Sequence, residues 1–533
     1  MMPVLTPQVD KSSEAFARNR SSLLQRIALL DEQLAAARAG GGDKYVERHR
    51  SRDKMPVRER IDLLLDRGSP FLELSALAGW GSEFTVGASV VTGIGVVSGV
   101  ECVIVGNDPT VRGGASNPFT WKKIIRALEI ARHNRLPVIN LVESGGADLP
   151  TQVEAFVPGG ALFRDLTRLS AAGVPTVAIV FGNSTAGGAY VPGMCDYSIM
   201  VKERAKVFLG GPPLVRMATG EVSTDEELGG AEMHSRTSGL SDYLAVDERD
   251  AIRLGRQVMA DINWRKLGPG PTQPARPPRC DPEDILGVVS SDLRVPFRPH
   301  DVLAHVLDDS RFDEYKPTYG TSLVTGWGHL HGYPVGILAN ANGVIFPEEA
   351  EKAAEFILLA NQVDVPLLFL QNTTGFIVGK VYEQAGMIKD GAKMINAVAN
   401  SSVPHITLLM GASYGAGNYA MSGRAYEPRF VFSWPNSKTA VMGPQQLAGV
   451  LSIVAQQAAA ASGREFDESA DAERRASVEQ QIERESDSFF MSGRVYDDGV
   501  IDPRDTRTVL GIALSAAHSN QIKGTRGFGV FRM

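Results

Sequence analysis

The chain repeats itself. Val174 to Tyr190 reads VPTVAIVFGNSTAGGAY, and 229 residues later Val403 to Tyr419 reads VPHITLLMGASYGAGNY, with six of seventeen positions identical. The same offset aligns LPVINLVESGG (136–146) with VPLLFLQNTTG (365–375). Thr92-Gly93 and Asn107 match Thr325-Gly326 and Asn340 at an offset of 233, so one four-residue length difference reconciles the set. Three segments in register define a duplicated domain. At 533 residues the chain is long enough for two or three domains. Between Lys266 and Asp284, Pro269, Pro271, Pro274, Pro277, Pro278 and Pro282 exclude helix and central strand. The expected division is a helical segment over 1–57, a first domain over 58–268, a linker over 269–283 and a second domain over 284–533.

Leu23, Leu24, Ile27, Leu30 and Leu34 predict a helix over 13–38, ended by the glycines from Gly40 to Gly42. A shorter helix is expected over 58–66. From Ala88 onward β-rich runs alternate with helical ones, the pattern of an α/β fold. In each copy a strand (Val138 to Val142; Leu367 to Leu370) ends in a Gly-containing loop. A helix leads on to a second buried strand (Thr176 to Phe181; Ile406 to Met410), which ends in a Gly-rich turn. Loops at the C-terminal ends of parallel strands are where α/β folds build sites.

The two turns are Ser184 to Tyr190 and Ser413 to Tyr419. Small residues there let a ligand approach the backbone and leave N–H groups free where a helix begins. Two such groups aimed at one oxygen form an oxyanion hole. A tight turn needed only for packing helix on sheet is the plainer alternative, weakened by the turn's recurrence in both copies.

A net charge of −7 argues against a nucleic-acid binder. Cys102, Cys195 and Cys280 are widely spaced, with no CxxC pair, which suits a reducing cytoplasm rather than a zinc site or disulfide framework. No apolar h-region opens the chain and no run is long enough to span a membrane. His329 and His331 flank Leu330 without a further ligand type and read as strand-surface residues. Lys122, Lys123 and Arg126 begin a helix; a solvated face is the expectation, with contact to CoA phosphates as the alternative. The run from Asp467 to Glu485 is expected to be a solvated helix.

The turns AGGAY and SYGAGNY, with RERIDLLLDRGSPFLEL (58–74), FLGGPPLV (208–215), LQNTTGFIVG (370–379), KDGAKM (389–394) and NYAMSGRAYEPRFVFSWPN (418–436), resemble the β subunits of biotin-dependent acyl-CoA carboxylases. The resemblance covers about residues 15 to 520. NYAMSGRAY and GGPPLV-x-x-ATGE are nearer the methylcrotonoyl-CoA and geranyl-CoA carboxylase branch than the propionyl/acetyl branch. Ala147-Asp148 and His234-Ser235-Arg236 depart from that branch's pattern and leave the acyl group open, propionyl-like or longer chains included.

The resemblance implies two tandem crotonase-like α/β domains and a carboxyltransferase. Gly187 and Gly188 would donate N–H groups to the thioester oxygen of the acyl-CoA enolate, with Ser144, Gly145, Gly146, Ala186 and Tyr190 shaping the acyl site. Ala416 and Gly417 would hold the ureido oxygen of biotin, with Gly375, Phe376, Tyr414, Gly415 and Tyr419 around it. The biotin would arrive on a biotinylated biotin-carboxylase/carrier α subunit, which also uses the ATP, and no metal is needed in this chain. Lys393, in Gly391-Ala392-Lys393-Met394, lacks the Ala-Met-Lys-Met setting of a biotinylated lysine. A hexamer of β subunits, α6β6 overall, is implied, with each site shared between the first half of one subunit and the second half of another. A crotonase-type hydratase needs an acid where Tyr190 and Tyr419 stand. A non-catalytic scaffold would be expected to fill the turns with bulkier residues.

Overall fold

The computed structural model describes residues 2–533. Three helices come first: α1 (Glu14–Ala39), α2 (Asp43–Arg50) and α3 (Val57–Leu64). Ser13 caps α1 by accepting from Phe16 N, and Gly40, at φ 55°, ends it. The apolar stripe foreseen from the sequence is the buried face, through Leu23, Ile27 and Leu30.

The first sheet comprises β1 (Leu72–Leu74), β2 (Val90–Val97), β3 (Val100–Asn107), β4 (Val138–Ser144), β5 (Thr176–Thr185), β6 (Tyr197–Val201), β7 (Lys206–Phe208) and β8 (Tyr243–Ala245). Its order is β1-β2-β3-β4-β5-β6-β8, with β7 on the far end of β5. Pairing is antiparallel up to β3 and parallel beyond it. The second sheet comprises β9 (Phe312–Tyr315), β10 (Leu323–Leu330), β11 (Tyr333–Asn340), β13 (Leu367–Thr373), β15 (His405–Tyr414), β16 (Phe430–Ser433) and β17 (Lys438–Ala440). Its order is β16-β15-β13-β11-β10-β9, with β17 on β15. It matches the first sheet strand for strand, except that among the described residues no counterpart of β8 follows β16. β12 (Val344–Ile345) and β14 (Gly375–Phe376) form a separate parallel pair. Every residue of β4 and β13 is buried, as parallel strands covered on both faces require.

In the first half α4 (Pro118–Asn134) and α5 (Gln152–Ala171) cover the sheet; Pro347–Gln362 and Met387–Asn400 do so in the second. The duplication extends to single hydrogen bonds. Lys123 donates to Gly87 O (3.3 Å) and Val90 O (2.8 Å), and Lys352 to Gly320 O (3.3 Å) and Leu323 O (2.8 Å).

Lys123 and Arg126 therefore correct the expectation of a solvated face or a CoA contact. Both are almost fully buried, and only Lys122 stays in solvent. Burial pushes the Lys123 ammonium down to about 8. Arg126 grips Asp498 at 2.7 and 2.8 Å and the carbonyl of Arg429 at 3.1 Å, clamping the two halves together. An arginine buried this deeply is tolerable only with such a carboxylate, and Asp498 lies 372 residues away.

The N-terminal helix also ties the halves. Although it precedes the first domain, α1 lies on the second: Asn19 donates to Gly287 O (3.1 Å), and Arg26 reaches Pro435 O and Asp487. Residues 263–281 form neither helix nor strand. The charged run becomes an exposed helix, Glu468–Glu485. His329 is on β10, whereas His331 sits in the following turn at φ 49°. No helix among the described residues is long and apolar enough to cross a membrane.

Candidate active site

Each Gly-rich turn closes its sheet's longest strand, and the two follow the same path. Thr185 (φ −109°, ψ 152°) and Tyr414 (φ −113°, ψ 145°) end the strands in extended backbone. The next residues, Ala186 (φ 53°) and Gly415 (φ 54°), turn left-handed. An alanine in that region costs on the order of 1 kcal/mol, so Ala186 holds a strained conformation that Gly415 adopts freely. The following N–H groups, at Gly187 and Gly188 or Ala416 and Gly417, open a short helical turn, where the first N–H groups have no intrahelical partner.

The neighbouring loops are braced alike. Ser144 donates to Gly114 O and accepts from Gly146 N, while Thr373 donates to Gly343 O and accepts from Gly375 N. Gly146 (φ 92°) and Gly375 (φ 117°) are both left-handed, and a Cβ on either would lie 3.7 Å from the carbonyl of Thr185 or Tyr414. The Ser144 hydroxyl is thus spent on bracing. Gly145 is likewise engaged, its N–H on Gly113 O at 3.0 Å.

Around the first turn lies a cavity of about 700 Å³. The structure brings Ser144, Gly146, Ala186, Gly187 and Gly188 together on its wall. Trp121 and Ile124 from α4 and Leu162 and Phe163 from α5 supply apolar walls that motif reading missed. Their signal was the helical spacing of apolar residues on α4 and α5. Ala147 also lines the cavity; the bridge at Ser116 uses Gly146 O and Asp148 N, so the Ala147 N–H is not spent there. Gly145 and Tyr190 stand outside the lining. Tyr190, half exposed, packs edge-on against Phe163 with ring centroids 5.9 Å apart.

The second turn has other surroundings. Tyr414 lines a cleft of about 700 Å³ with Thr374, Lys438, Gln445, Gln446 and Glu483 among its walls, a far more polar set. Gly375, Phe376, Gly415, Ala416, Gly417 and Tyr419 lie beside this cleft, not on its lining. A Cβ on Gly417 would come within 2.9 Å of Gly375 Cα, so the two loops meet backbone to backbone. Phe376 packs over Gly391, and Tyr419 stacks on Tyr426 at 5.7 Å. Burial pushes the Tyr414 hydroxyl up to about 12, keeping it neutral.

Behind the first turn is a charged network absent from the sequence reading. Glu143, buried at the end of β4, pairs with Lys54 and with Arg60 at 2.8 Å. Arg60 is fully buried, also pairs with Glu248 (3.0 Å), and stacks over Phe181 at 4.2 Å. Burial favours the neutral Glu143 acid, but Arg60 and Lys54 outweigh it and hold the carboxyl below its usual range. Asn372 replaces Glu143 in the second half, its Oδ1 accepting from Ala412 N at 3.1 Å. Lys393 is paired with Asp390 and Glu351, both at 3.1 Å. Among the described residues no three His, Cys, Asp or Glu side chains gather as a metal ion requires.

The carboxyl transferase domain model matches residues 48–531. A probable biotin-dependent acyl-coenzyme A carboxylase beta2 subunit of Mycobacterium tuberculosis is 64% identical over 99% of this chain and 100% of that protein. The mitochondrial methylcrotonoyl-CoA carboxylase beta chain of Dictyostelium discoideum is 46% identical over 99% and 91%. Among solved structures, the beta subunit of P. aeruginosa geranyl-CoA carboxylase superposes with a TM-score of 0.89 at 41% identity, covering all of both chains. The two sheets and their turns are thus the tandem crotonase-like units of that fold, and the chain belongs to the carboxyl transferase family as the carboxyltransferase component of a biotin-dependent acyl-CoA carboxylase.

Proposed function

We propose that this subunit carboxylates a branched, α,β-unsaturated acyl-CoA of the 3-methylcrotonoyl type at its γ carbon, and that its two turns divide the work. The observation that carries this is one backbone path set in two environments, an apolar cavity and a polar cleft. In the first half, the Gly187 and Gly188 N–H groups donate to the thioester oxygen as negative charge grows on it. Ser144, Gly145, Gly146 and Ala186 fix the loops that aim them, and Tyr190 guards the cavity through Phe163. An oxyanion donor of this kind is worth about 3 kcal/mol of transition-state stabilisation.

Biotin, carried by a biotinylated partner subunit, brings the carboxyl group and a ring nitrogen able to take the substrate proton. The second turn would hold its ureido oxygen on the Ala416 and Gly417 N–H groups, with Ala416 exposed and Gly417 packed backbone to backbone on Gly375 to fix the turn. Gly415 permits the turn, while Phe376, Tyr414 and Tyr419 wall it. The same reading takes the first domain as 58–268, the second as 284–533, and a β hexamer within an α6β6 assembly. Three unpaired cysteines support a cytoplasmic setting.

A second reading has its own support: a cavity of about 700 Å³ with Trp121, Leu162 and Phe163 on its walls has room for a longer acyl chain. Purified subunit with its biotinylated partner, ATP and bicarbonate should carboxylate 3-methylcrotonoyl-CoA faster than propionyl-CoA in a panel of acyl-CoAs. Preference for a ten-carbon branched chain replaces the first reading with the second. No turnover across the panel defeats both.

A further inference from the structure

Behind the second turn runs a polar chain that the first turn lacks. Gln371, in β13, donates from Nε2 to Met421 O at 2.7 Å and accepts at Oε1 from Ser413 Oγ at 2.5 Å. Asn418 Nδ2 in turn donates to Ser413 Oγ at 2.7 Å. The direction of the chain is fixed, because a carbonyl such as Met421 O can only accept and the Gln371 amide nitrogen must face it. Gln371 and Ser413 are wholly buried. Asn418 lies within the short helix that opens the turn, Gly415–Ala420, and Met421 lies just past its end. Ser413 and Gln371 belong to β15 and β13, so the chain ties that helix to two strands of the sheet.

In the first half Val142 stands at the position of Gln371 and Ala189 at that of Asn418, and the matching Ser184 has no amide to meet. Ser184 donates to Gly188 O at 2.8 Å instead. Pro192, four residues after Gly188, has no N–H to give that carbonyl. In the second half Met421 N donates to Gly417 O at 3.0 Å, which releases Ser413 for Gln371. The backbone differs accordingly: Ala186–Ala189 wind as a 3₁₀ turn, Gly415–Ala420 as an α-helix. Gly423 belongs to the same arrangement. A Cβ on it would strike Asn418 Oδ1, and Met194 holds that position in the first half.

We propose that Gln371, Ser413 and Asn418 are positioning residues for carboxyl transfer at the second turn. Helical N–H groups point along the helix axis, so the chain, by fixing the tilt of Gly415–Ala420, sets the aim of the Ala416 and Gly417 N–H groups. The inference rests on the reading of that turn as the hole for the biotin oxygen and adds what holds the hole in line.

The test gives the second half the first half's side chains. The full chain carrying Gln371→Val and Asn418→Ala is assayed in reverse, with a carboxylated acyl-CoA as donor and free biotin as acceptor. The carboxyl group passes to the biotin nitrogen, and that nitrogen's proton passes to the acyl carbon. Circular dichroism should show the fold retained, because Ser413 can then turn to Gly417 O as Ser184 does to Gly188 O. The kcat/KM for free biotin should fall about tenfold, while KM for the carboxylated acyl-CoA stays at the wild-type value. Asn418→Ala alone keeps Gln371 on Met421 O and should lose about threefold, which decides the matter if the double variant does not fold. An unchanged kcat/KM for biotin in a folded variant overturns the proposal. So does an equal rise in both KM values, the mark of general loosening. Failure of the biotin reading is distinct: Ala416→Pro would then leave kcat/KM for free biotin intact. Failure of this proposal alone leaves Ala416→Pro damaging and the double variant unharmed.

Discussion

The two halves share a backbone and differ in what surrounds it. At the end of the fourth strand of the first half a carboxylate, Glu143, is locked to Arg60 and Lys54; at the matching position Asn372 ties neighbouring strands with a neutral amide. Beyond the turn, the first half presents aromatic walls and the second presents Lys438, Gln445 and Glu483. The halves have kept the backbone path of the turn and changed the side chains around it. On the proposed function, duplication supplied a reusable hole and divergence assigned each copy its ligand.

Replacing Gly187 or Ala416 by proline breaks the comparison most severely. Each change deletes one N–H from one turn, and carboxylation should fall at least about a hundredfold in either case. Circular dichroism should show the fold retained. Full activity in Ala416→Pro would reduce the second turn to packing.

Glu143→Gln sharpens the contrast between the two strand ends. It leaves Arg60 buried with one carboxylate fewer, and stability should drop by about 3 kcal/mol. Asn372→Ala removes only a neutral hydrogen bond and should cost about 1–2 kcal/mol. Denaturant titration reads both, and equal losses would contradict the assigned asymmetry.

Acid sensitivity should also be unequal. His405 begins β15 where β5 has Thr176, and burial pushes its ring down to about 3. The unfolded state, with an ordinary histidine near 6.5, binds the proton first, so this contribution is complete above about pH 6.5 and is lost as pH falls towards 3. His405→Thr should flatten the fall of Tm between pH 6.5 and 4.5. An unchanged slope would show the ring is not held neutral. The smallest effect concerns the left-handed position: Gly415→Ala should cost about 1 kcal/mol, and Ala186→Gly should change stability by less.

The sequence made the duplication legible because the turn residues are constrained by backbone conformation, and that constraint survives divergence. Gly146 and Gly375, both left-handed, kept their identity, and so did the aligned Ser184 and Ser413. The charged pairs were not legible. Lys123 and Arg126 look like a solvated helix start until β2 and Asp498 are placed against them, and Arg60 finds Glu143 and Glu248 only in the fold. Likewise α1 shows its apolar stripe but not that its partner is the far half. Local pattern identifies a buried face, and it takes the tertiary structure to say what buries it.

The central claim is that the turns have separate duties and meet across a subunit boundary. Co-expressing Gly187→Pro and Ala416→Pro chains tests it most directly. In a mixed dimer one site then carries both defects and the other carries none, so random mixing should restore about a quarter of wild-type activity from two inactive parents. If every site were built within one chain, each would hold a broken turn, and the mixture would stay as inactive as either parent.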